Sequence, residues 1–184
     1  MTDPWQLFLV ILVAANPATG LRAVLPGSLR ERIPAAAVAA GLAITIVVVA
    51  GLVADSLLER LAIEEETARI AAGLVLGISG GQAVVLGGPL VRDTPRGWQA
   101  GLYPLGIPLV LNAAILVAVI AFSANPDAGT GRSIGFAAIG VIFTALAALV
   151  PARFAGPADG VARLVGAAAI LVATAMVVSG VRDV

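Results

Sequence analysis

The chain has 184 residues, of which 60% are hydrophobic and 12% charged, with eleven basic residues balanced by eleven acidic ones. A mean hydropathy of +1.05 and about half the charge of a typical soluble domain leave more apolar surface than so short a chain could hide from water. The bilayer is therefore read as its solvent. All eleven basic residues are Arg; without Lys, His or Cys there is no imidazole base, Schiff-base lysine, thiol redox centre or His/Cys metal site. With no polybasic arm or acidic tail, nucleic-acid binding is excluded.

Six apolar runs follow in chain order, at 5–25, 35–54, 68–88, 102–122, 133–150 and 161–181. Each is long enough to cross a hydrocarbon core of about 30 Å. The first has no basic flank before it and continues past Asn16 and Pro17, so it is read as a retained span and not a cleaved signal. Pro, Gly and charged residues cluster between the runs, at 26–34, 55–67, 89–101, 123–132 and 151–160, which are read as loops. The lipid bilayer is thus the first partner implied. Placing the amino terminus outside puts seven Arg on the cytoplasmic side (Arg22, Arg30, Arg32, Arg92, Arg96, Arg153, Arg163) and four outside (Arg60, Arg69, Arg132, Arg182). The positive-inside rule then sets both termini outside the cytoplasm.

In the first span Pro17 has no N–H and clashes with the carbonyl four residues back, which frees the Val13 carbonyl, while Ala18, Thr19 and Gly20 permit an unwound stretch. Asn16 lies about 15 Å into the membrane by helical rise. In the fourth span Pro104, Pro108 and Asn112 recur every four residues, which predicts one helical face and unpartnered carbonyls at Ala100 and Pro104. Asn112 is again near mid-membrane. Arg22, at the inner end of the first span, is placed either against a substrate carboxylate or snorkelling to the interface.

The third span carries Gly73, Gly77 and Gly81 at four-residue spacing. This predicts close approach of another helix, within one chain or between copies in a homo-oligomer. Ser79, Gly80 and Gln82 are candidates to border a cavity. Gly77 to Gly81 also matches the G-x-S-x-G pattern of hydrolases, but Ser79 has no His or Lys to activate it. Asp55, Asp93, Asp127 and Asp159 all fall at span ends or in loops, so neither a paired-aspartate protease nor carboxylate-based proton coupling is expected, and the chain is read as not an enzyme.

The two halves superpose. Ala68-Arg69-Ile70 at the start of the third span matches Ala162-Arg163-Leu164 at the start of the sixth, 94 residues later, and Asn16 matches Asn112 at an offset of 96. Each half (1–90 and 91–184) holds three spans, an odd number, so the second enters the membrane from the opposite side. That is the inverted repeat of many transporters. The predicted fold is all-α: six transmembrane helices in two inverted three-helix repeats, one transmembrane domain in all, with broken first and fourth helices. Irregular backbone at membrane depth survives beside protein or a wet cavity. Paired breaks therefore predict a small-molecule substrate site at the midplane, formed by Asn16, Pro17, Thr19, Gly20, Pro108 and Asn112. No cofactor is implied. The alternatives are proline kinks with asparagines as packing glue, and a scaffold or accessory subunit that transports nothing.

The ordered motifs resemble those of the MarC family of six-span bacterial membrane proteins. Asn16 to Gly20 is similar to its first-span signature, Arg69 to Gly73 to its R-I-x-G-G opening of the third span, and Pro104 to Pro108 to its P-L-x-I-P run. The chain departs from the pattern at Asn112-Ala113-Ala114, where the family has Gly-Pro-Gly, and at Ala72, which replaces a glycine. The resemblance implies a relative of LysE-type exporters in the bacterial inner membrane, and with it small neutral amino acids or similar metabolites as substrates.

Overall fold

A computed structural model describes residues 3–22, 28–87, 97–150 and 155–183. Most of the expected 89–101 loop, with Arg92, Asp93 and Arg96, lies outside the described residues, as do Arg153 and the side chain of Arg22. Every described element is helical, and among the described residues five helices are long and apolar enough to cross a membrane, or six if one bent pair counts as a single span.

Helix α1 (Pro4–Ala15) begins where the Asp3 carboxylate accepts from the Trp5 N–H at 3.0 Å, with Pro4 in the first turn, where its missing N–H costs nothing. It stops at Asn16, whose backbone is left-handed (φ 42°, ψ 71°), and α2 (Pro17–Arg22) restarts at once. Asparagine tolerates this conformation better than most side chains, and Pro17 could not have continued the hydrogen-bond ladder.

Helix α3 (Leu29–Leu61) is far longer than the expected 35–54 run, at 33 residues. Its start is fixed by Ser28, whose N–H donates to the Glu31 carboxylate at 3.1 Å. Pro34 costs the helix one bond, to the Arg30 carbonyl, without ending it. The expected 55–67 loop shrinks to the turn at 62–64, where Ala62 is left-handed and the Ile63 N–H returns to the Leu58 carbonyl at 3.0 Å. The Glu and Arg residues of that segment are good helix formers and it holds no Gly or Pro, so charge alone did not mark a loop.

Helix α4 (Glu65–Leu86) and helix α7 (Ala155–Asp183) form the most extensive pairing in the bundle. They are antiparallel, and their backbones approach closely at intervals of seven residues. A Cβ added to Gly73 would lie 3.0 Å from the Ala173 carbonyl oxygen, one on Gly80 2.7 Å from that of Gly166, and one on Gly180 3.1 Å from that of Glu66. The expected stripe is therefore corrected: Gly77 makes only an ordinary contact at 3.4 Å, and Gly81 faces open space. A seam of period 3.5 returns every seven residues, and four-residue spacing drifts off it. Ser79 sits inside this continuous helix and not on a strand-to-helix turn, as a nucleophile elbow requires.

The fourth expected span is not a single α-helix. Gly101–Val110 consists of helical pieces joined across a kink, and Tyr103 and Ile107 within it are extended. Each directly precedes a proline, which disfavours the α region for the residue before it. Pro104 and Pro108 therefore do not share a helical face. The stretch packs on α3, where a Cβ on Gly101 would meet the Ala35 carbonyl at 2.4 Å. It ends where the Leu111 N–H reaches the Gly106 carbonyl at 2.8 Å, and α5 (Ala113–Ser123) leaves it at a bend of 60°. Helix α6 (Thr130–Ala147) follows a short turn and packs on α1, α2 and α3.

Candidate functional site

The two interruptions meet. Asn112 is extended (φ −98°, ψ 164°), and its side-chain oxygen accepts from the Ile115 N–H at 2.9 Å, capping α5. Its Nδ2 donates to the Ala14 carbonyl at 2.9 Å, in the last turn of α1. One asparagine thus starts the helix after the second break and satisfies a carbonyl exposed by the first. The packing-glue reading describes this part of Asn112 well, because both ends of its amide are occupied.

Asn16 differs. Its backbone carbonyl accepts from the N–H of Thr19 at 2.9 Å and from the Thr19 hydroxyl at 2.8 Å, which ties off the start of α2. The residue is 8% exposed, yet Oδ1 is buried with no hydrogen-bond partner among the described residues. An unpaired buried amide oxygen costs on the order of 1–3 kcal/mol, and native proteins leave few such groups.

Oδ1 belongs to a residue that lines a cavity of about 400 Å³, a volume in the range of small-molecule sites. Four of the six expected site residues line it: Asn16, Thr19, Pro108 and Asn112. The other two do not. Pro17 shapes the break behind the wall, and Gly20 faces α6, where an added Cβ would stand 2.2 Å from the Thr144 carbonyl oxygen. Its smallness serves helix packing. Pro104 is buried away from the cavity as well, for want of the helical register that would have aligned it with Pro108.

Ser79 and Gln82 also border the cavity, on the face of α4 opposite the breaks. Sequence reasoning missed the α7 contribution, Gly166 and Ala169, because small apolar residues on an apolar helix carry no signal of what they face. No charged side chain lines the cavity among the described residues, and none of their acidic groups cluster as a metal site would need. The polar complement is neutral: two amides at the breaks, a third at Gln82, and two hydroxyls.

Replacing Asn112 with Ala removes the cap and the bond to Ala14 together, each worth about 1 kcal/mol. Asn112→Ser keeps an oxygen at the cap and loses the Nδ2 donor without adding a charge. Thermal unfolding in detergent is expected to rank the proteins wild type, Asn112→Ser, Asn112→Ala, in falling stability. No protein-family model, curated protein or solved structure gives a significant match to this chain.

Proposed function

We propose that the chain is a six-span carrier of the bacterial inner membrane that moves small neutral solutes, amino acids or similar metabolites, through the cavity between its two broken helices. The observation that carries this reading is a cavity that both helix breaks enter, lined by Asn16, whose buried Oδ1 has no partner among the described residues. Backbone irregularity at membrane depth needs protein or water beside it, and a buried acceptor without a partner is suited to a ligand that donates. The first turn of α5 adds backbone N–H groups and the positive end of a helix dipole at the same wall, suited to a carboxylate. Neutral lining favours a solute without net charge.

The inverted repeat belongs to this proposal, and the packing supports it reciprocally. Helices α1 and α2 pack on α6 as the Gly101–Val110 stretch and α5 pack on α3; α4 meets α5 as α7 meets α2. Exchanging the halves carries each of these four pairings onto another of them. The MarC resemblance and the exporter direction stand as part of the same reading, with both termini extracytoplasmic by the Arg bias.

The test is an unbiased metabolite screen on purified protein in proteoliposomes, reading time-dependent uptake or counterflow against empty vesicles. Saturable flux of at least one small neutral solute is expected. Absence of flux for any solute, together with a stoichiometric co-purifying membrane protein, would establish the accessory-subunit alternative instead.

A further inference from the structure

The cavity occupies one half of the bundle. On α4 it is lined from Leu76 to Leu86, toward that helix's carboxyl end, and on α1 and α2 from Val13 to Thr19. Beyond it, toward the end where α4 begins, Val10, Ala72, Val119, Ala173 and Met176 are at most 5% exposed and form part of one packed core. Among the described residues, packed side chains fill that end.

At that closed end lies Arg69, whose side chain is 8% exposed. Its guanidinium donates to Asp183 at 2.7 Å, on the last turn of α7, and to Glu65 at 3.2 Å, one turn back on α4. The same Glu65 oxygen accepts from Asn125 Nδ2, and Asn125 Oδ1 accepts from the Ala128 N–H at 2.9 Å. One buried cation therefore fastens α4 to α7 and, through Glu65, to the turn between α5 and α6. Burying a guanidinium is costly unless it is paired on all sides, so this end is stable only while those elements stay together.

Arg163 stands 94 residues later, at the opposite end of the α4–α7 pair. It too holds a carboxylate four residues earlier, Asp159 at 2.8 Å, and it too reaches the carboxyl end of the other helix, at the Val84 and Val85 carbonyls (2.6 and 3.2 Å). Its side chain, however, is 44% exposed. Equivalent residues are thus in unequal states, the buried one at the sealed end and the exposed one at the end the cavity approaches.

We propose that Arg69 is the latch of a gate closing the Glu65 end, and that Arg163 is its counterpart at the Leu86 end, the two exchanging burial as the cavity opens alternately to either side. The inference rests on the carrier reading above. In an inverted repeat the alternative state arises when each half adopts the other's conformation, and weakening one latch shifts the population toward opening on its side.

The chain has no native cysteine, so Ser79→Cys reports cavity access by itself. In sealed vesicles, with Glu64→Cys and Gly156→Cys marking the two sides, a membrane-impermeant maleimide is expected to modify Ser79→Cys at least ten times faster from the Gly156 side. Adding Arg69→Gln is expected to raise labelling from the Glu64 side at least tenfold, whereas Arg163→Gln leaves that side closed. Asp183→Asn and Asn125→Ala cut single ties of the latch and serve if Arg69→Gln does not fold. Comparable labelling from both sides in the starting protein, or no gain from the Glu64 side in the folded latch variants, overturns the proposal. Labelling needs no substrate: loss of the gate with flux retained refutes this inference alone, and gated access without flux refutes the carrier reading.

Discussion

Gly80→Leu is expected to prevent stable assembly of the bundle, whereas Gly81→Leu, one residue along the same helix, is expected to be nearly neutral. A Cβ on Gly80 would lie 2.7 Å from the Gly166 carbonyl oxygen and 2.9 Å from the Ala169 Cβ, while one on Gly81 meets nothing within 4 Å. At Gly80 the obstacle is backbone of α7, which cannot rotate aside as a flexible side chain would. Overpacking a core costs roughly 1–3 kcal/mol even where side chains yield, and here the whole α4–α7 interface must part. In membranes, close backbone approach is itself a main source of helix association, so the loss spreads along the seam to Gly73 and Gly180. The measurement is yield and thermal unfolding in detergent for the two variants side by side. Equal behaviour would mean that α4 and α7 meet in a different register.

The second large effect is expected at Asn16, where backbone and side-chain roles can be separated. Asn16→Gly supplies the left-handed conformation at no steric cost and deletes Oδ1, so insertion and stability should be retained. Flux should fall at least tenfold, since the cavity wall then loses the amide whose buried oxygen has no partner among the described residues. Asn16→Ala loses both features, adding about 1 kcal/mol of left-handed backbone cost. Transport rates in proteoliposomes, normalised to folded protein, decide the matter. Full activity of Asn16→Gly would remove Oδ1 from the site while leaving the break itself in place.

Neither variant touches the sealed end. Arg69, Glu65, Asn125 and Asp183 join segments from α4, the α5–α6 turn and α7, more than 100 residues apart at the extremes. In the sequence Arg69 reads as one more charge near a span end and as the middle of a repeated triplet. That its side chain is buried while that of Arg163 is 44% exposed depends on the segments that arrive from elsewhere in the chain, which residue types do not carry.

The broken first helix was legible because its cause is local: Pro17 has no N–H and Asn16 tolerates a left-handed backbone, whatever surrounds them. The fourth-span region was misjudged for a related reason. Proline at four-residue spacing does predict interruption, but the residues before the prolines, Tyr103 and Ile107, go extended and abolish the helical face on which Pro104 and Pro108 were placed together. The acidic segment after position 55 was read as a loop from its charge, although its residues are helix formers and α3 simply continues to Leu61.

Composition by itself determined that this is an all-helical chain with spans suited to a bilayer, because 60% apolar residues with 12% charge leave hydrogen-bonded helices as the economical way to carry backbone through lipid. The order of residues picked out Asn16 and Asn112 as polar residues within apolar runs. Only the tertiary structure decided that these two breaks touch, that Asn112 is consumed in holding them together while Asn16 Oδ1 has no partner among the described residues, that Gly20 serves packing and that Pro104 is buried away from the cavity. Local rules fix where a backbone bond is missing; which group fills it, and which is left open to a cavity, depends on the helices that arrive from elsewhere in the chain.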